Sequence, residues 1–276
     1  MFDFFGINND AFIFSFDKII SIPIVILFYF SLKGLGLLII PNNRLKTISP
    51  IVGFGFVYLF ILFFSILMPG KEIKIYSFCF IIIGFTGYIF RNNKLEFIND
   101  LSKVVILIPF IIYAAFVREY SWDDYTHWLR FLDYLYINNH LPTAEEPYLE
   151  GHPRYVYGLS IIRYIPNLFL SELNINICGL LNVMFLSIVF DWNKVLFNLK
   201  SESNSFLEFL SENSLILPLI FFILLCHNTR VIMNANADFA LVILSVTTTL
   251  IIIKEYIFKE NDSLRSYLPI FFMFVA

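Results

Sequence analysis

An all-α fold, a polytopic transmembrane helical bundle, is predicted by three observations. The chain of 276 residues is 58% hydrophobic and carries 34 phenylalanines, well above the apolar share of a water-soluble domain. Its apolar residues fall into repeated long runs, and runs of about 20 such residues suit helices that cross a bilayer. Between two of the runs lies a stretch, residues 118–174, that gathers charge and aromatic rings. The net charge of −3 excludes a basic nucleic-acid binder, so no nucleic-acid partner is expected. Cys79, Cys178 and Cys226 all sit inside apolar runs, which argues against a disulfide framework and offers no metal-type cysteine spacing. The first residues, "MFDFFGINNDAF", lack a basic n-region and a small-residue cleavage site, so no removable signal peptide is expected.

In chain order, the runs place spans at about 18–40, 51–69, 75–90, 103–117, 175–192, 215–229 and 237–253, each near the length a crossing needs. Residues 1–276 therefore read as a single transmembrane domain of about seven spans plus a partial last one. The closing run "YLPIFFMFVA" has about ten apolar residues, too few to cross, and the chain reads as truncated at the C-terminus. A further stretch, "YVYGLSIIRYIPNLFL" (155–170), is apolar but carries Arg163 and Pro166.

Charge sets the expected sidedness, because basic loops stay on the cytoplasmic side. Arg44 and Lys46 mark the first connection as inside, and Arg91, Lys94 and Lys103 mark the third. The next span then emerges at Arg118, putting 118–174 outside. The first part of that loop, 118–154, holds seven acids, Glu119, Asp123, Asp124, Asp133, Glu145, Glu146 and Glu150. Lys194 and Lys200 are again expected inside, as are Lys254, Lys259 and Arg265. These assignments agree only if a single crossing lies between 155 and 192, so 155–170 is expected to be interfacial or re-entrant. "HNTRVIMNANAD" (227–238) then falls on the outer side. An integral protein of the plasma (inner) membrane, with its chemistry on the extracytoplasmic face, is the expected localisation.

The outer loop is expected to hold two interfacial helices. In the first, Asp123 to Tyr136, a step of ~100° per residue gathers Trp128, Phe131, Leu132, Leu135 and Tyr136 on one face. Asp123, His127, Arg130 and Tyr134 cluster on the other. Such a helix would lie in the headgroup layer, offering a carboxylate, an imidazole and a guanidinium one turn apart. A general base, a partner that tunes its pKa and a phosphate clamp have this composition. A purely structural reading carries comparable weight: Ser121 as N-cap with Asp124 at N3 forms a capping box. "GHPRYVYGL" then adds His152, Arg154 and Tyr157, and "NADFAL" sets Asp238 at the outer mouth of a span, where a buried acid is costly.

The order of these motifs resembles the GT-C glycosyltransferases, multi-pass enzymes that use polyprenyl-phosphate-linked sugars and include the aminoarabinose and protein mannosyl transferases. The resemblance covers roughly residues 100–255: an acidic pair after a span, an "LP" turn, an "HPP"-like juxtamembrane segment and a later Asp motif. It implies that Asp123 is the catalytic aspartate, Asp124 its acidic neighbour, His152 and Pro153 the start of the juxtamembrane segment and Asp238 the acid of the later motif. Arg154 stands where a second proline or small residue is usual in the family, and three extra spans precede the acidic loop.

Transfer of a sugar from a polyprenyl-phosphate donor to an extracytoplasmic glycan, lipid or protein acceptor is the implied activity. Asp123 would take the acceptor's proton in a single inverting displacement. The departing phosphate would be steadied by an arginine, with Arg154 and Arg230 favoured over Arg118 and Arg163. His127, Arg130, His152, Arg154, Tyr157, Arg230 and Asp238 are the expected substrate-binding residues. Some family members hold a divalent metal and others need none; Asp123, Asp124, His152 and Asp238 have the oxygen and nitrogen donors for Mg²⁺ or Mn²⁺, and the cofactor stays open. The expected partners are the lipid-linked donor and membrane lipid. Two other classes stay in view: a polysaccharide polymerase or ligase, whose outer loops lean on arginines, and a transporter or flippase, whose ionisable residues sit near the bilayer midplane.

Overall fold

The computed structural model describes residues 14–40, 46, 48–117, 129–143, 158–192, 205–214, 216–218, 220, 243, 245–247 and 249–250. All elements among them are helical: α1 (Phe16–Ile39), α2 (Ser49–Leu67), α3 (Lys74–Arg91), α4 (Lys94–Phe116), α5 (Leu129–Asn138), α6 (Gly158–Asn167), α7 (Ile177–Phe185), which runs on as a 3₁₀ turn (Leu186–Asp191), and α8 (Phe206–Glu212). The first four are long and apolar enough to cross a membrane, as expected of an integral membrane protein. Their outward faces agree: Phe63, Ile75, Ile82 and Phe90 are all more than 60% exposed, and in water such a surface would drive aggregation.

Local signals set the ends. Ser15 caps α1 by accepting the Lys18 backbone N–H. Pro50 sits in the first turn of α2, where its missing N–H costs nothing. At α4 a full capping box forms, the Asn93 side chain accepting from the Glu96 N–H at 2.8 Å while Glu96 accepts from the Asn93 N–H. That box starts α4 at Lys94, nine residues before the apolar run expected at 103–117, and so carries Asp100 into the helix.

α1 is the central element, and glycines let its neighbours approach to backbone contact. A Cβ added at Gly34 would stand 1.8 Å from the Gly84 carbonyl oxygen of α3. One at Gly36 would meet the Ser49 carbonyl of α2 at 1.8 Å, and one at Gly53 the Leu32 carbonyl at 1.8 Å. Small residues at helix crossings serve this purpose where no water-driven force pulls helices together. The pairing directions make α1 antiparallel to α2 and parallel to α3. Their packed sides, including Phe28, Leu32, Ile51, Phe54 and Ile61, are almost fully buried.

The helices share two ends. One, the basic end, holds Lys46, Arg91 and Lys94; there Lys46 pairs with Glu96 at 2.7 Å. At the other, the loop end, Ser171 donates to Asp17 at 2.7 Å, and the Ile73 N–H donates to the Asn139 carbonyl at 2.8 Å. α7 with its 3₁₀ extension runs from the loop end to the basic end, buried along its length. It lies at the expected 175–192 position. α6 has ten residues, half of a crossing length, and residues 160–167 are buried among the other helices.

Gly34→Leu is expected to destabilise the bundle by about 3 kcal/mol or more, because backbone cannot retreat as a side chain can. Thermal unfolding of the detergent-purified protein would measure this, with the lipid-facing Ile82→Leu as a control that leaves the midpoint within about 2 °C.

Candidate functional site

Two groups of polar residues stand out, one at each end. At the loop end, α4 meets the start of α7, and α6 packs against both α5 and α7. Asn176 reaches back to α4, its Nδ2 donating to the carbonyls of Ala114 and Val117 at 2.9 and 2.8 Å. It thereby satisfies acceptors that a helix C-terminus leaves open and pins the chain where the polar loop begins. α5 buries Leu129, Phe131, Leu132 and Leu135 and exposes Arg130 and Asp133, so its apolar face packs on α6 and its charged face is open.

Asn139 ends α5. Its φ of 58° is left-handed, a conformation asparagine tolerates better than most residues, and its N–H closes on the Leu135 carbonyl. Its side-chain oxygen then accepts from the Tyr164 hydroxyl at 2.7 Å, locking α5 to α6. Burial pushes the Tyr164 phenol up, and the Glu72 carboxylate adds to the shift. Tyr164 is thus a neutral hydrogen-bond donor. Beside it, Arg163 is buried on α6.

Of the residues expected to carry chemistry, Arg130 is exposed on α5. Asp123, Asp124, His127, His152, Arg154, Tyr157, Arg230 and Asp238 lie outside the described residues, as do Arg118 and Trp128. Among the described residues no three His, Cys, Asp or Glu side chains converge as a metal site would need. The frame on both sides of the acidic loop is therefore defined, while the proposed metal ligands lie beyond it.

The second group is buried near the basic end and links four segments. Lys33 of α1 donates to both carboxylate oxygens of Asp100 on α4, at 2.6 and 2.5 Å. The Tyr88 hydroxyl of α3 and the Asn92 amide also donate to Asp100 Oδ2, at 2.9 and 3.3 Å. Lys103, one turn further along α4, lies 3.7 Å from Asp100 and donates to Asp191 at 2.6 Å. Two cations face two carboxylates, so the cluster is neutral as a whole. Nearby, the Tyr29 hydroxyl of α1 shares a hydrogen bond with Ser187 on the 3₁₀ turn.

A sequence signal for this cluster exists. Lys33 is the single charge in the run "IPIVILFYFSLKGLGLLII", and a charge inside a span calls for a partner. The Asp100–Lys103 spacing of three marks one helix face once α4 is known to start at Lys94. The apolar run alone, beginning at 103, leaves Asp100 outside the helix.

The chain matches no family model, no curated protein and no solved structure. Its functional reading rests on its own residues.

Asp100→Asn leaves Lys33 buried without a full counter-charge and is expected to cost about 3–5 kcal/mol of stability. Replacing both partners, as Lys33→Met with Asp100→Leu, is expected to recover most of that loss. Thermal unfolding of the three proteins side by side would decide; a double variant no more stable than Asp100→Asn alone would show that the pair is not the cause.

Proposed function

We propose that the chain is a membrane glycosyltransferase of the GT-C type, moving a sugar from a polyprenyl-phosphate donor to an extracytoplasmic acceptor. The observation that supports it most is the arrangement at the loop end. The acidic stretch leaves the pinned end of α4 and leads into an amphipathic helix with a buried apolar face and an exposed charged one. The chain then returns through the "GHPRYVYGL" segment to α6, which is anchored to the end of α5. The segment that carries Asp123 and Asp124 therefore has a packed helix before it in the chain and another after it, and fixed flanks are what catalytic carboxylates need.

In this reading, Asp123 accepts the proton of the acceptor hydroxyl as that oxygen attacks the anomeric carbon. The bond from that carbon to the donor phosphate breaks, and the polyprenyl phosphate leaves with its electron pair. A guanidinium, from Arg154 or Arg230, neutralises the growing charge on the phosphate. His127, Arg130, His152, Tyr157 and Asp238 complete the polar surface for sugar and acceptor. Asp123, His152 and Asp238 are the donors available if a divalent cation takes part, with Mg²⁺ or Mn²⁺ suited to them.

A second reading, a transporter or flippase, draws on the buried Lys33–Asp100–Lys103–Asp191 cluster, since charges within spans often line a transport path. Two facts weigh against it. The four charges cancel. Lys33 and Asp100 each lie six residues from the basic-end terminus of their helix and Lys103 lies nine, roughly 9 and 14 Å in at 1.5 Å per residue, so the cluster is weighted to the basic side of a midplane about 15 Å in.

The deciding experiment uses proteoliposomes given one polyprenyl-phosphate sugar at a time, a pentose and then a hexose, with envelope extract as acceptor. Release of polyprenyl phosphate is the readout. Asp123→Asn is expected to lower it at least about 100-fold while thermal stability is retained; full activity in that variant would remove the catalytic assignment. Sidedness supplies an independent check. Single cysteines at Thr126 and Ala235 are expected to react with an impermeant thiol reagent on intact cells, and one at Lys200 is not. Labels at 126 and 235 on opposite sides would mean that Asp123 and Asp238 share no site.

A further inference from the structure

We propose that the basic end carries a binding groove for one anionic phospholipid, with Lys94 at its polar lip and Arg91 on the adjoining last turn of α3 attracting the headgroup, and α1 and α3 holding the acyl chain. An open groove of about 690 Å³ runs between α1, the last turns of α3 and the start of α4. Its walls are apolar and partly aromatic: Ile26 and Phe30 from α1, Phe85 and Ile89 from α3. Phe30 stacks on Tyr88 at 4.8 Å between ring centroids, giving the groove a flat floor. At one end the lining turns polar, at Asn92 and Lys94.

Three features point to the occupant. Lys94 and the neighbouring Arg91 are exposed and join no ion pair among the described residues, unlike Lys33, Lys46 and Lys103. The Asn92 side-chain oxygen is buried and accepts no hydrogen bond, although its amide is committed to Asp100. The apolar part of the groove lies on helices of membrane-crossing length. A phosphodiester fits the two cations, a headgroup hydroxyl fits the vacant Asn92 acceptor, and an acyl chain fits the apolar walls. Phosphatidylglycerol combines all three. A zwitterionic choline headgroup has no hydrogen to donate and offsets its own phosphate charge.

The polar end of the groove lies at the basic end, away from α5 and the C-terminus of α4, so the proposal does not depend on glycosyl transfer. Because Tyr88 both floors the groove and donates to Asp100, a bound lipid also braces the buried cluster.

The test is native mass spectrometry of the full chain released from detergent with phosphatidylglycerol or phosphatidylcholine. One phosphatidylglycerol per chain is expected to be retained at roughly tenfold lower concentration than phosphatidylcholine, in line with two basic side chains near an anionic lipid. In R91Q/K94Q that preference is expected to vanish. Lys74→Gln removes an exposed charge at the loop end and is expected to keep it, as well as the rise in unfolding temperature that phosphatidylglycerol gives the unaltered chain. Equal retention of the two lipids by the unaltered chain would overturn the proposal. So would a preference that survives in R91Q/K94Q, or one lost equally in Lys74→Gln.

Discussion

Backbone contact along α1 is the constraint from which the described structure follows. Helices in a bilayer gain little from burying apolar side chains, since lipid is as apolar as leucine. They gain from close fit, and Gly34, Gly36, Gly53 and Gly84 remove the Cβ atoms that would hold α1 away from α2 and α3. The same approach brings the Lys33 ammonium within reach of Asp100. Electrostatics thus completes what packing positions: α2 and α3 hold α1 by close fit, and α4 is tied to it by charge. Asp191 extends that pull through Lys103 to the end of α7.

The two polar groups play different parts because their surroundings differ. In the basic-end cluster each charge meets its opposite, and hydroxyl and amide donors take up further acceptor capacity on Asp100. Such an arrangement holds helices together and leaves little capacity for a passing ligand. The loop end is organised otherwise. Asn176, Asn139 and Tyr164 spend their hydrogen bonds on backbone and on one another, fixing the scaffold, while Arg130 and Asp133 face outward. A rigid frame under an open charged surface is what positioned chemistry requires.

Much of the architecture was legible in the sequence because length and apolarity are local properties. The four long helices lie where the runs at 18–40, 51–69, 75–90 and 103–117 indicated, with ends shifted by a few residues except at α4. There the capping box at Asn93 and Glu96 outweighed hydropathy, and Asp100 moved from a loop into the buried helix, with Lys103 shifted from its first residue to its interior. The buried cluster was hidden because it depends on pairing residues 67 and 88 positions apart, which periodicity does not reveal. Arg130 was placed on the polar face of its helix by the 100° rule, and it is exposed. Asp123 was singled out by that same polar face, Asp238 by its place at the mouth of a span, and both, with His152, by motif order; none of these specifies distances.

The Lys33–Asp100 pair also has a meaning in time. The chain is made from its N-terminus, so α1 enters the membrane before its counter-ion exists. At about 5–20 residues per second, the 67 residues between them take roughly 3 to 13 seconds to synthesise. Throughout that interval Lys33 has no Asp100 to pair with, and a charge in an apolar span is costly until it is paired. Arrival of α4 neutralises it. The same helix brings in Lys103, whose own partner Asp191 lies 88 residues further on, so the cluster is completed in two steps, each waiting on a later helix.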